Sequence, residues 1–380
     1  MNFDFNQEQR ILREVVRKFV DKECTRDVVR FHDENEKYPS ELFAKMAEMG
    51  WLGAIYPEKY GGIGGSAIDL VIILEELARG MRALASSYYV TVILGGQAIY
   101  HGGTEDQKNY YIPKVCDGSI RLALSLTEPN AGSDLAALTT KAEVKDDEVI
   151  INGQKTFCTL ADQSDYIVMA VRTDKDALKH KGISLILLPR QTKGVSIRKI
   201  PKLGIRAISA CEIFLEDVHI PRENILGEIN QGWSYIIRTL DMERLSLAAV
   251  SVGDTTAVLE EALQYAKERV QFGRPIGKFQ LIQAMLADMK VDLETARLLT
   301  YQLAWLISEN KPCHLESSIA KLYTSEICTR AALNGMQILG GYGYTMEYDM
   351  QRHFRDAKIN EIGGGSSQIQ RLIIAKELGL

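Results

Sequence analysis

Cysteine is sparse and scattered in this 380-residue chain: six residues, at positions 24, 116, 158, 211, 313 and 328, with no Cys-x-x-Cys pair. Such spacing argues against a zinc site or a disulfide framework and suits a reducing compartment. No metal is expected. No apolar run approaches the roughly 20 residues that a membrane-spanning helix needs, and the longest, around residues 88–94, is far too short. Neither sign of charge is in excess: 45 Lys+Arg against 50 Asp+Glu leave a formal net charge of −5, which gives no sign of a nucleic-acid partner. The N-terminal stretch MNFDFNQEQR is acidic and polar, unlike a secretory signal. Internal repeats and low-complexity tracts are also missing. These absences lead to the expectation of a cytoplasmic protein.

What is present is ordinary globular composition, 46% hydrophobic and 25% charged, on a chain long enough for two or three sub-domains. The patterning changes twice. Up to about residue 118 it reads helical: residues 7–20 place Ile11, Val15, Phe19 and Val20 on one stripe, and residues 40–49 and 67–79 flank the glycine-rich loop 57–65. From 119 to 231 it reads as strands. Residues 141–158 alternate around two turn signals, Asp146-Asp147 and Asn152-Gly153, and β-branched runs follow at 166–171, 183–188, 195–200 and 211–215. From 232 to 380 it returns to helix, with Ile282, Met285, Leu286, Met289, Leu293 and Ala296 at helical spacing. The reading is an α+β multi-domain chain: an N-terminal helical domain (1–118), a middle β-barrel or sandwich (119–231) and a C-terminal four-helix-type bundle (232–380).

Several segments can carry chemistry. Residues 124–134, LSLTEPNAGSD, offer hydroxyls at Thr127 and Ser133, and Asn130 to Gly132 can turn backbone N–H groups toward a ligand. Residues 337–345, QILGGYGYT, have glycines that permit close backbone approach, although GGYG alone is a loop signal. In residues 240–245, LDMERL, Asp241 and Arg244 stand three apart and can meet on a helix surface. By itself a glutamate in such a helix is a solvated, ion-paired residue.

In this order, together with residues 268–280 (ERVQFGRPIGKFQ) and 355–371 (RDAKINEIGGGSSQIQR), these segments closely resemble the acyl-CoA dehydrogenase family of flavoproteins. The resemblance runs from about residue 5 to the C-terminus. It implies FAD as cofactor. It puts Leu126 and Thr127 near the flavin pyrimidine ring, Gly132 in the same loop, and Ser133 against flavin phosphate or bound acyl-CoA. Phe157 takes a place where straight-chain members commonly carry tryptophan, and keeps an aromatic wall without the indole donor. Thr159 corresponds to a hydrogen-bonding partner of the flavin N5 region. Arg269, Phe272 and Gln280, with Gln337, Gly340 and Gly341, correspond to residues that cross a subunit interface to the adenine diphosphate half. A guanidinium suits that pyrophosphate. A homo-oligomer follows, usually a tetramer in the family. Ser366 and Gln368 are further flavin contacts, and the counterparts of Asp241 and Arg244 contact the CoA portion.

One position departs from the pattern. Straight-chain members carry a catalytic glutamate where this chain has Gly364. Glycine retains the backbone N–H that stabilises the thioester oxygen but supplies no base. Isovaleryl-CoA dehydrogenase and some long-chain relatives carry the glutamate on the bundle helix instead, where Glu243 stands here. The resemblance therefore implies α,β-dehydrogenation of an acyl-CoA, with Glu243 as base, flavin as hydride acceptor and an electron-transferring flavoprotein as electron partner. Three glycines (363–365) beside a wall formed by residues 86–94, where Tyr88 and Tyr89 would shorten the cavity, with Tyr88, Thr91 and Gly365 as substrate contacts, imply a short, branched or cyclic acyl group. Crotonobetainyl-CoA reductase-like members share the glycine-rich tail and the helix glutamate, so an enoyl-CoA reductase is the alternative. A relative using flavin for desulfination and a silent flavin- or CoA-binding subunit are others.

Overall fold

Three helices begin with reciprocal caps, in which a side chain accepts from the backbone three residues on and is answered in return: Asn6 with Gln9, Ser66 with Asp69, and Thr104 with Gln107. They open α1 (Gln7–Glu23), α4 (Ala67–Gly80) and α7 (Glu105–Cys116), which with α2 (Arg26–Glu34), α3 (Ser40–Glu48), α5 (Arg82–Tyr88) and α6 (Gln97–Gly102) form the N-terminal helical domain. Between α5 and α6 the chain stays helical but widens into a π-helix, Tyr89–Gly96. The computed structural model describes residues 4–380; the first three residues of the stretch read above as no secretory signal lie outside them. On α1 the buried face holds Val16 and Val20, with Val15 and Phe19 packed beside them, whereas Ile11 is exposed.

The middle domain is one eight-stranded sheet: β1 (Leu122–Ser125), β2 (Lys141–Val144), β3 (Glu148–Thr159), β4 (Tyr166–Arg172), β5 (Ile183–Pro189), β6 (Val195–Lys199), β7 (Ala210–Pro221) and β8 (Ile225–Leu226). Its order is β6-β7-β3-β2-β4-β5-β8, with β1 parallel to β4. Alternate residues of β4 and β5 enter two different cores. Val168, Ala170, Leu185 and Leu187 join the cluster shared with the N-terminal domain, while Ile167, Met169, Ile186 and Leu188 join one on the opposite face. Both faces are covered, which is why these strands read as continuous apolar runs. The hairpin turn lies at Asp146-Asp147. Asn152-Gly153, expected as a second turn, lies inside β3, where the register against β7 slips between Ile151 and Gly153. A Cβ at Gly153 would press on Thr140, so this glycine serves a bulge rather than a turn.

The C-terminal domain comprises α8 (Gly232–Glu268), a short hairpin of β9 (Val270–Gln271) and β10 (Arg274–Pro275), α9 (Gln280–Ser308), α10 (His314–Leu339), α11 (Met350–Ala357) and α12 (Ser367–Glu377). Of the predicted α9 stripe, Met289, Leu293 and Ala296 are buried, and Ile282, Met285 and Leu286 pack partly buried against the bundle core. All six cysteines are reduced and buried. Among the described residues no helix is long and apolar enough to cross a membrane, and no group of three or more His, Cys, Asp or Glu is placed to hold a metal ion.

Candidate active site

Glu243 lies on the fourth turn of α8, where the helix leaves the middle domain and runs beside the N-terminal helices. Leu240, Met242 and Leu245 around it pack into the shared core, which recesses the carboxylate. Its Oε1 accepts a hydrogen bond from the Tyr89 hydroxyl at 3.0 Å. A Cβ built on Gly364 would stand 3.4 Å from the same oxygen and would overlap Leu247 Cδ1. The helix glutamate and the tail glycine, 121 positions apart in sequence, thus occupy one place. Burial pushes the Glu243 carboxyl above the usual carboxylate range, against the pull of the Tyr89 hydroxyl and the charges of Arg244 and Lys321. A recessed carboxylate of raised basicity is equipped to accept and return a proton.

The tail loop is held from below. Gly364 and Gly365 take left-handed backbone angles (φ 65° and 84°), and Lys321 of α10, fully buried, donates to the Gly365 carbonyl at 2.5 Å. Gln370 Nε2 adds bonds of 3.2 Å to the carbonyls of Gly364 and Gly365. Burial lowers the Lys321 ammonium to about 8, partly offset by Glu243. Ser366 caps α12 by accepting from the Ile369 N–H, and Gln368 is exposed on its first turn.

Asp241 and Arg244 do meet, at 3.4 Å, on the flank of α8. Ser317 donates to Asp241 at 2.6 Å, His314 Nδ1 lies 3.2 Å from the same oxygen, and Arg244 Nη1 is 3.2 Å from Ser317 Oγ. Arg244 is buried, and its Nε has no hydrogen-bond partner among the described residues.

The motif around Thr127 and the strand around Phe157 come together. Thr156 N–H donates to the Thr127 carbonyl at 3.0 Å, and Lys155 Nζ donates to the Leu126 carbonyl at 3.0 Å. Lys155, fully buried, also binds Glu128 at 2.8 Å. Glu128 in turn accepts from Thr139 and Thr140, and despite burial the Lys155 ammonium and these donors hold its carboxyl down at about 2. On this pinned platform Leu126, Thr127 and Thr159 are half-buried, while Gly132 and Ser133 are exposed. Phe157 is 65% exposed at a positive φ of 57°. Aromatic carbon left in solvent on a strained residue is the kind of surface that a planar ligand covers.

A second group gathers elsewhere. Arg269, just past the end of α8, lies over the Tyr342 ring at 5.4 Å, which joins the β9–β10 hairpin to the segment that carries Gly340 and Gly341. Phe272 is 93% exposed at the hairpin tip, Gln280 and Gln337 are exposed, and a Cβ on Gly340 or Gly341 would touch nothing. The 25 residues of α8 from Glu243 to Glu268 rise about 38 Å. One copy of the chain therefore holds Glu243 and this second group about 38 Å apart along α8.

Tyr88 and Thr91 stand apart from the expected substrate wall. Tyr88 is fully buried in the N-terminal core with its hydroxyl on the Trp51 carbonyl at 3.0 Å, and Thr91, also buried, donates to the Leu122 carbonyl. Tyr89 is the residue that turns to Glu243. Lys321, Ser317 and His314 carried no motif signal; only their spacing on one face of a helix could have drawn attention to them.

Residues 6–119, 123–218 and 230–379 match the N-terminal, middle and C-terminal domains of acyl-CoA dehydrogenase, respectively. The chain is 41% identical over 379 residues to a probable acyl-CoA dehydrogenase, YngJ, of Bacillus subtilis, with full coverage of both. It is 39% identical to CarC, the caffeyl-CoA reductase-Etf complex subunit of Acetobacterium woodii, over 98% of each chain. Among solved structures it superposes on butyryl-CoA dehydrogenase from Megasphaera elsdenii with a TM-score of 0.96 at 36% identity, and on the FAD complex of PigA with 0.95 at 28%, each over the whole of both chains. Full-length similarity of this degree, on a shared three-domain fold, means that the chain belongs to the acyl-CoA dehydrogenase family of oxidoreductases.

Proposed function

We propose that the chain is an FAD-dependent acyl-CoA dehydrogenase acting on a short, branched or cyclic acyl thioester, with Glu243 as the base. The observation that carries this reading is the 3.4 Å between Glu243 Oε1 and the side-chain position of Gly364, because the carboxylate fills the place left by the missing tail glutamate. The residues present suit FAD: hydroxyls at Thr127, Ser133 and Thr159, the exposed Phe157 ring, and open backbone at Gly132. When bound, the flavin supplies the acceptor for the hydride that leaves the β-carbon. Glu243 takes the α-proton, and the Gly364 N–H donates to the thioester oxygen as negative charge builds there. Asp241 and Arg244, stiffened by Ser317, meet the CoA portion.

Arg269, Phe272, Gln280, Gln337, Gly340 and Gly341 serve the adenine end of a flavin held by another copy. About 38 Å of helix separates them from Glu243. A homo-oligomer, in the family's usual tetrameric form, completes the site. An electron-transferring flavoprotein is the electron partner; the similarity to CarC, a caffeyl-CoA reductase-Etf complex subunit, supports that choice. The same relative favours a second reading, an enoyl-CoA reductase, in which Glu243 returns the proton to the α-carbon.

Residues 363–365 bring no side chain to the acyl site, and Tyr89 reaches the Glu243 carboxylate from the N-terminal domain, which suits a short acyl group. A panel of thioesters mixed anaerobically with the purified flavoprotein tests this. Bleaching by short branched acyl-CoA but not by a palmitoyl-length chain is expected; efficient bleaching by the long chain defeats the size argument. No bleaching by any saturated thioester, with reoxidation of the reduced flavoprotein by an enoyl-CoA, selects the reductase.

A further inference from the structure

We propose that Tyr89 is a positioning residue, whose hydroxyl holds the Glu243 carboxylate turned onto the Gly364 backbone. The proposal rests on the reading of Glu243 as base. Two adjacent tyrosines do different work here. Tyr88 ends α5 and points into the N-terminal core, its hydroxyl on Trp51. Tyr89 starts the widened segment, and its hydroxyl crosses from the N-terminal domain to α8, 154 positions away in sequence, to reach Glu243. Neighbours on a helix point about 100° apart, so the two rings leave it in different directions.

The direction of that bond is fixed by chemistry. Burial and the neighbouring carboxylate raise the Tyr89 phenol well above its ordinary range, so it is a donor throughout the working pH range, and an ionised carboxylate is the acceptor that answers it. Among the described residues Tyr89 is the one hydrogen-bond donor on the Glu243 side chain. It occupies Oε1, the oxygen nearest Gly364, and leaves Oε2 for the substrate proton. The other charged groups that bear on this carboxylate are Arg244 beside it on α8 and Lys321 from α10, with Arg82 behind the Tyr89 ring. Arg244 and Lys321 are cations whose own bonds go elsewhere, to Asp241 and Ser317 and to the Gly365 carbonyl, so they act on Glu243 through their charge. Only the phenol fixes its angle.

The test separates proton abstraction from redox chemistry. A thioester with sulfur at the β-position has an α-proton to lose but no hydride to give. Its deuterium uptake in heavy water, followed by mass spectrometry on the flavin-loaded protein, reads the base alone. In Tyr89→Phe the ring stays and the donor goes. The acid limb of the exchange profile should then move to higher pH, and the rate on that limb should fall about tenfold, the size expected for a hydrogen bond to a charged acceptor. Flavin content and thermal midpoint should stay close to those of the parent. Tyr88→Phe, which removes a hydroxyl from the same helix, should leave the limb where it is. An unshifted limb in Tyr89→Phe, or an equal shift in Tyr88→Phe, overturns the proposal while Glu243 stands as base. Parent-like exchange in Glu243→Gln overturns the base assignment, and the proposal with it.

Discussion

Replacing Gly364 by alanine tests whether the tail is glycine for reasons of space and backbone. Two separate costs arise. Residue 364 has φ 65°, where an L side chain costs about 1–2 kcal/mol. The new methyl would also overlap Leu247 Cδ1, and forcing a methyl into a packed site costs about 1–3 kcal/mol. The sum is about 2–5 kcal/mol. The second part depends on the Leu247 side chain and the first does not, so a double-mutant cycle divides them. Leu247→Ala alone should destabilise, as loss of a buried leucine does. In that background Gly364→Ala should cost only the backbone share. The readout is the apparent thermal midpoint of flavin release, at fixed protein and flavin concentration because ligand binding itself shifts the midpoint. Equal losses in the two backgrounds would show that Leu247 does not limit the space at 364.

Glu243→Gln should keep the fold and the flavin but lower turnover by about 10²–10⁴-fold, the usual contribution of a positioned base, as measured by single-turnover flavin reduction. Lys321→Met should raise the acid limb of the same reaction, since the lost charge favours ionised Glu243, and should cost about 1–3 kcal/mol in stability because the Gly365 carbonyl loses its buried donor. Glu128 has its folded-state value lowered from 4.5 to about 2, so its contribution to stability is complete above about 4.5 and disappears as pH falls toward 2. Lys155→Met strands that carboxylate in the interior. It should destabilise by about 3–5 kcal/mol and move acid unfolding, followed by circular dichroism and flavin fluorescence, to higher pH. An acid transition unchanged by Lys155→Met would mean that the pair contributes nothing to holding residues 126–128.

Where each motif is local, the sequence carries it well. The order of helix, strand and helix, the α9 stripe and the Asp241–Arg244 pair all follow from spacing along one element. The nearness of Glu243 to Gly364 was legible only because a missing side chain in one segment is answered by a carboxylate in another. What stayed hidden depends on register. Asn152-Gly153 has the composition of a turn, yet β7 continues past it, and cross-strand pairing outweighs local preference. Likewise, nothing in SSYYV states which tyrosine faces the N-terminal core and which faces α8, so Tyr88 and Tyr89 look equivalent until the packing is seen. Lys321 escaped notice because a lysine in a helix is ordinarily at the surface, and its partner is a main-chain oxygen that no residue type announces.

The π segment Tyr89–Gly96 is also where the N-terminal domain reaches the proton acceptor. Val90 to Ile93 are buried, and Gly95 and Gly96 lie so close to Leu122 and Tyr56 that an added methyl would collide with them. The proton acceptor rides on a separate, 37-residue rod, and the Tyr89 hydroxyl ties that rod to this segment. Descendants of this chain that rewind the segment would therefore disturb the carboxylate as well.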